Sequence, residues 1–266
     1  MAIHSAADHD RFADDFNRDG CVLLRRHFDA GRMQRWAAAF EPLLHAALTD
    51  PRLAGERGKQ RYYVTLPFDG VFADPQVFED DDVLAIVERV AGADPVLCQL
   101  ATDTPLQGSE YQDVHRDTPA LFAEEPAIEP PSYQLAVNFP LCPVTLDNGP
   151  LETTRGTHRM TRDAAFAALA RGDVALEPIT MDIGDVMIRD VRLLHRGTPN
   201  LTGVPRPMVV LGYSRRWYHR PEVHIDVPRS LLDKLSPRGR RLLRFNPVVE
   251  TADSAPRGES YQSFAY

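Results

Sequence analysis

The sequence predicts a mainly β protein with flanking helices, and three observations carry that prediction. Helical periodicity dominates the first 95 residues or so; after Asp94 the texture changes to short apolar runs, "PVLCQLATD", "YQLAVNFPL", "DVMIRDVRLLH" and "RPMVVLGYSRRWY"; turn residues separate those runs. Helices that precede many short antiparallel strands fit an all-β barrel or a double-sheet roll, buttressed by helices on one side.

The elements follow in order. Phe12 and Phe16 stand at helical spacing, Asp19-Gly20 makes a turn, and Cys21 to Leu24 read as a strand. Met33, Trp36, Phe40, Leu43, Leu44 and Leu48 recur with the helical period over Ala30 to Leu48, and Pro42 is expected to kink or divide that helix. Residues 50–67, "DPRLAGERGKQRYYVTLP", are polar, mixed and bounded by prolines, which predicts a long surface loop. From Asp80 to Gly92 an acidic start, apolar Val83, Leu84, Ile86, Val87 and Val90, and a closing glycine predict a capped helix. Asp147-Asn148-Gly149-Pro150 and "RGTPNLTGVPR" are turns, "RDAAFAALARG" is a helix between strands, and "DVPRSLLDKLSPRGRRLLRF" forms a C-terminal helix. No repeat or low-complexity tract interrupts the chain. We expect one domain over 1–266, made of a helical buttress over about 1–95, a β core over about 96–220 and an extension over about 221–266.

Composition narrows the function. With 266 residues, 43% of them hydrophobic and 26% charged, the chain is long enough to bury a substantial core. Its net charge of −8 argues against bulk attraction to nucleic acid or anionic membrane. No apolar run approaches bilayer length and the N-terminus lacks a signal pattern, so a cytoplasmic protein is expected; separately, we expect a monomer or homodimer that acts on a small molecule. Cys21, Cys98 and Cys142 are odd in number and far apart, suggesting buried thiols rather than disulfides or a cysteine zinc site.

The chemistry concentrates in "YQDVHRDTPALF". On a strand, residues i and i+2 share a face, so His115 and Asp117 can converge while Arg116 faces away. A third ligand is needed, and His195, at the end of another strand, is the strongest candidate. Two histidines and one carboxylate with open positions is the arrangement of non-haem Fe(II) oxygenases. Arg206 lies eleven residues beyond His195; an antiparallel hairpin would aim both side chains into one barrel mouth, where a guanidinium holds a dicarboxylate through two parallel hydrogen bonds. Pro205 and Pro207 keep its backbone extended.

"HRD", "DNGPLETTRGTHR" and "GDVMIRDVRLLHRGTPNLTGVPRPMVVLGY", in that order and spacing, resemble the phytanoyl-CoA dioxygenase family of iron- and 2-oxoglutarate-dependent oxygenases. The resemblance covers about Gln99 to Trp217. It implies a double-stranded β-helix (jelly-roll, cupin-like) core, Fe(II) held by His115, Asp117 and His195, and 2-oxoglutarate whose far carboxylate pairs with Arg206. Substrate hydroxylation or desaturation would then accompany decarboxylation of 2-oxoglutarate to succinate with O2, and ascorbate would stimulate it. Halogenating relatives replace the ligand carboxylate with a small residue, whereas Asp117 is retained. The family's proline-glycine-serine-histidine turn reads Arg155-Gly156-Thr157-His158 here, with the glycine and histidine kept.

Thr102, Gln134 and Thr198 are further candidates to bind 2-oxoglutarate from the barrel interior. Arg61, Tyr62, Tyr63, Phe122, Arg215, Arg216 and Trp217 are candidates to line the substrate pocket. Two other classes fit the same residues: a cupin-like metalloenzyme that does not use 2-oxoglutarate, and a non-catalytic jelly-roll binding module. An Arg206 turned away from the metal would favour the first, and failure to bind metal would favour the second.

Overall fold

The computed structural model describes residues 2–55, 57–122, 130–220 and 223–251. Helix α1 (Ala6–Asp19) leads into strand β1 (Cys21–Leu24), helix α2 (Ala30–Thr49), strand β2 (Arg61–Thr65), and helices α3 (Pro75–Phe78) and α4 (Asp81–Ala91). Strands β3 (Val96–Pro105), β4 (Gln134–Pro140) and β5 (Leu151–Thr153) precede helix α5 (Arg162–Arg171). Then come β6 (Glu177–Ile179), β7 (Val186–Asp190), β8 (His195–Gly197) and β9 (Met208–Ser214), followed by β10 (Val227–Pro228), α6 (Arg229–Leu232), α7 (Pro237–Leu242) and β11 (Val248–Val249).

The helices begin and end where local chemistry dictates. Ser5 and Asp8 form a reciprocal capping box at the start of α1, and Gly20 closes it in the left-handed conformation with φ 83°. A Cβ at Gly20 would collide with His158 and Leu193, so glycine is required there on two counts. Asp29 caps α2 and Asp80 caps α4. Contrary to expectation, α2 runs through Pro42 undivided. Proline removes one backbone bond, and the buried face of Met33, Trp36, Phe40, Leu44 and Ala47 compensates through packing. Trp36 stands edge-on to Phe72 and Phe139 with ring centroids 5.1 and 5.3 Å away, so its truncation to alanine would cost about 3–5 kcal/mol.

Six strands form an antiparallel major sheet in the order β1-β7-β4-β9-β3-β2, and three form a minor sheet in the order β6-β5-β8. The major sheet is buried on both faces, which is why β4 and β7 contain no exposed residue. Alternation sorts the two faces. Leu135, Val137 and Phe139 of β4, Val186 and Ile188 of β7, and Val209, Leu211 and Tyr213 of β9 join the core with the helices. Gln134, Ala136 and Asn138, Met187 and Arg189, and Met208 and Val210 face a cleft on the other side. The architecture is the double-sheet roll with helices on one side.

Three expectations are corrected. Residues 61–65 of the expected loop form β2, an edge strand paired with β3 from Arg61↔Pro105 to Thr65↔Ala101. Tyr62 and Val64 enter the core, and the guanidinium of Arg61 is matched by Asp103 at 2.8 Å. The C-terminal helix is two short ones, because Ser236 caps a new start at Pro237. His195 and Arg206 do not share a hairpin: β8 belongs to the minor sheet and β9 to the major one. Among the described residues no helix is long and apolar enough to cross a membrane.

Candidate metal centre and its cleft

Between the sheets lies a cleft enclosing about 840 Å³ of empty space, its open mouth included. His115, Asp117 and His195 all line it. His115 is not within a regular strand: it pairs with His195 in an isolated antiparallel bridge, each backbone N–H donating to the other's carbonyl at 3.0 and 3.1 Å. That pairing sets the imidazole centroids 4.4 Å apart. Asp117 is fixed by its N–H, which donates to the Val191 carbonyl at 2.9 Å.

Backbone carbonyls select the ring tautomers. Nδ1 of His115 lies 2.7 Å from the Asp113 carbonyl, and Nδ1 of His195 lies 2.9 Å from that of Leu193. A carbonyl only accepts, so each Nδ1 donates and each Nε2 keeps its lone pair for the cleft. The Arg189 guanidinium also approaches His195 Nδ1, but at 3.3 Å, and the nearer carbonyl sets the tautomer. The two Nε2 atoms lie 4.0 and 3.2 Å from Asp117 Oδ1. One donor atom from each residue fits within 4.8 Å of the others.

Burial and neighbouring charges set the protonation of His115 and Asp117. Burial, reinforced by the charge of His195, pushes the His115 imidazole down to about 4, so it is neutral at neutral pH. Burial opposes ionisation of Asp117, yet Arg189 and then His195 hold its carboxyl well below the usual range. Arg189 donates to Asp117 Oδ2 at 2.7 Å. A neutral imidazole at His115 and an ionised carboxylate at Asp117 are states that a cation would require.

A second set of polar groups faces the same cleft. Arg206 is 2% exposed and donates to the Gly149 carbonyl at 2.5 Å, with Asp103 Oδ2 at 3.9 Å. Burial pushes its guanidinium down to about 10, which leaves it charged at neutral pH. Its Nε has no hydrogen-bond partner, and neither does Gln134 Oε1, Asn138 Oδ1 or Arg189 Nε. Buried polar atoms left unpaired are costly, at about 1–3 kcal/mol each, so a wall carrying four of them is complementary to a polar ligand. The cleft thus has a buried guanidinium on its lining together with the His115, Asp117 and His195 cluster.

Several sequence candidates lie elsewhere. Thr102 turns its hydroxyl to the Val64 carbonyl at 3.5 Å, and Thr198 donates to the Pro150 carbonyl at 2.7 Å; neither lines the cleft. Arg61 sits behind the cleft wall, donating to Asp103 and, at 2.9 Å, to the Thr198 carbonyl. Phe122 and Trp217 are 59% and 55% exposed, and Arg215 donates to the Ser132 carbonyl at 2.7 Å. Tyr63 and Gln134 do line the cleft, and Gln99 donates to the Tyr63 hydroxyl at 2.6 Å. Sequence reasoning missed Arg57, Gln99, Asn138, Arg189 and Arg220 as lining residues. Asn138 was within reach, since strict alternation from Gln134 along β4 places it on the same face.

The turn 155–158 braces the centre from behind. Gly156 is left-handed, with φ 75°. The Leu194 N–H donates to the Thr157 hydroxyl at 3.0 Å, the Thr154 hydroxyl donates to the Leu194 carbonyl at 3.1 Å, and Arg116 donates to the carbonyls of Thr157 and Met160. Arg116 thus faces away from its two neighbours and secures the turn beside His195. Arg155 remains half exposed and pairs with Glu177 and Asp19.

Comparison with known proteins agrees with this geometry. The chain is 27% identical over 149 residues to the iron/alpha-ketoglutarate-dependent dioxygenase ausO of Aspergillus calidoustus, a match covering 53% of this chain and about half, 48%, of that enzyme. In fold it is similar to the epimerase SnoN in complex with Fe3+, alpha-ketoglutarate and nogalamycin RO (TM-score 0.62, 21% identity, 79% of this chain and 85% of that one). It is also similar to HygX of Streptomyces hygroscopicus with nickel, 2-oxoglutarate and hygromycin B bound (TM-score 0.58, 17% identity, 78% and 88%). Residues 16–208, from the first helix through both sheets to the start of β9, match the sequence pattern of phytanoyl-CoA dioxygenase, and the chain belongs to that family, PhyH.

Proposed function

We propose that the chain is an Fe(II)/2-oxoglutarate-dependent oxygenase of a small organic molecule, with His115, Asp117 and His195 holding the metal and Arg206 the far carboxylate of 2-oxoglutarate. The observation that carries this reading is the pairing, across one cleft, of a two-histidine and carboxylate triad with a buried guanidinium whose Nε has no partner. Iron bound there would supply O2-dependent oxidation of the substrate, coupled to decarboxylation of 2-oxoglutarate to succinate and CO2.

The protein's own residues bind, orient and exclude. Arg206 fixes the co-substrate by charge and by fork geometry, with Gln134 and Asn138 as polar neighbours. The buried cleft face of the major sheet keeps bulk water from the reacting centre. Retention of Asp117 favours hydroxylation or desaturation over halogenation. Arg57 and Arg220 line the cleft beside Gln112, Leu151 and Val191, which supports a small, partly apolar substrate bearing an acidic group. That Arg206 faces the triad's cleft weighs against a cupin-like enzyme that dispenses with 2-oxoglutarate.

The test is succinate formation from 2-oxoglutarate under air by purified protein, with Fe(II) and ascorbate and a panel of small acidic and neutral substrates. Iron-dependent succinate, stimulated by one class of compound, is expected. Absence of succinate together with no metal-induced rise in Tm would overturn the oxygenase reading and leave a binding module.

A further inference from the structure

A second cluster of metal-ligating side chains lies at the other end of the helical layer. His27 follows β1, and its side chain is fully buried. Its Nε2 lies 2.8 Å from Asp80 Oδ1, while its Nδ1 has no partner. The His4 ring stacks on it at a centroid distance of 5.8 Å and an interplanar angle of 13°. Asp82, fully buried in the first turn of α4, completes the group. Its Oδ1 lies 2.6 Å from His9 Nε2 and accepts the His4 N–H at 3.2 Å; its Oδ2 accepts the Ile3 N–H at 2.7 Å. One donor atom from each of His4, His27 and Asp82 fits within 4.8 Å of the others.

Hydrogen bonding within the protein leaves this cluster incomplete. A carboxylate that accepts the Nε2–H of a histidine directs the Nδ1 lone pair outward, which is how ligating imidazoles are commonly held in metal sites. In His27 that lone pair is buried, faces no donor, and belongs to a side chain within reach of a second imidazole and a carboxylate. Two nitrogens and one oxygen suit a borderline cation such as zinc, cobalt or nickel, and the charges of Asp80 and Asp82 balance a divalent ion. We propose that His4, His27 and Asp82 form a second divalent transition-metal site, structural in role. It would join residues at the start of the chain to the β1–α2 connection and to the N-terminus of α4, three segments that are otherwise remote in sequence.

The site is tested by zinc stoichiometry on untagged full chain that is stripped with chelator, reloaded with excess zinc and desalted before elemental analysis. Wild type should retain two equivalents, and His115→Ala/His195→Ala, which removes two ligands of the cleft triad, should retain one. Adding His4→Ala to that double variant should remove the last equivalent, and zinc should no longer raise its Tm. His4 is only half buried, so its loss should leave the circular dichroism unchanged; His27→Gln provides an independent removal of a ligand. The proposal is overturned if the double variant retains no zinc, or if its zinc survives both His4→Ala and His27→Gln. Because these readouts do not involve turnover, they are independent of the oxygenase reading.

Discussion

The two walls of the cleft hold their polar groups by different means. Gln134, Asn138 and Arg189 project from β4 and β7, central strands whose hydrogen-bond ladders fix every second side chain on the cleft face. His115, Asp117 and His195 sit on irregular backbone or at the edge of a three-residue strand. There the aim of each ligand depends on individual bonds: the reciprocal His115–His195 pair, the Asp117 N–H to Val191, and the Thr157 hydroxyl beneath Leu194. Regular sheet gives rigidity without dedicated residues, whereas the ligand wall needs a separate support for each residue it presents.

That contrast can be broken in steps, from the largest effect downward. His195→Ala removes both a proposed ligand and the side chain packed on His115, and should abolish iron-dependent succinate formation and tight metal binding while leaving the circular dichroism unchanged; retained metal affinity would remove His195 from the triad. Arg206→Ala deletes a charge-assisted pair worth about 2–3 kcal/mol and should raise the KM for 2-oxoglutarate about 30- to 150-fold, with partial recovery in Arg206→Lys. An unchanged KM would mean that the co-substrate does not use this guanidinium. Arg189→Met cuts the bond to Asp117 and should weaken metal binding about 10- to 100-fold in calorimetry, with a smaller change in KM for 2-oxoglutarate. Equal losses in both would show that the walls are not independent. Thr157→Val removes the hydroxyl under Leu194 and should cost about 1 kcal/mol of stability in chemical denaturation, with a modest fall in metal affinity. A stability loss with no change at the metal would mean that the turn braces the fold but not the ligands.

The sequence announces the regular wall better than the irregular one. Helical periodicity located α2 and α4 to within a few residues, and apolar runs located β3, β4, β7 and β9. Strand β2 escaped notice because it lies at the end of a polar, proline-bounded stretch and its stability comes from β3, more than 30 residues away, and from the Arg61–Asp103 pair. The proximity of His115, Asp117 and His195 was legible mainly through resemblance, since two of the three lie outside any pattern that periodicity detects. Spacing alone allowed His195 and Arg206 to share a hairpin, but the loop between them carries the chain from one sheet to the other. Arg189 was invisible for another reason. In "VMIRD" it reads as an ordinary polar strand residue, and only the fold brings it to Asp117.

The contact between Arg189 and Asp117 also bears on how many coordination positions the protein itself takes up. With Oδ2 held by the guanidinium at 2.7 Å, Asp117 has Oδ1 left to offer. A carboxylate restrained in this way would present one oxygen rather than two to a cation in the cleft, and with the two imidazoles the protein would then offer three donor atoms. Arg189, which is not one of the three candidate ligands, would thereby decide how many oxygens Asp117 turns towards the cleft.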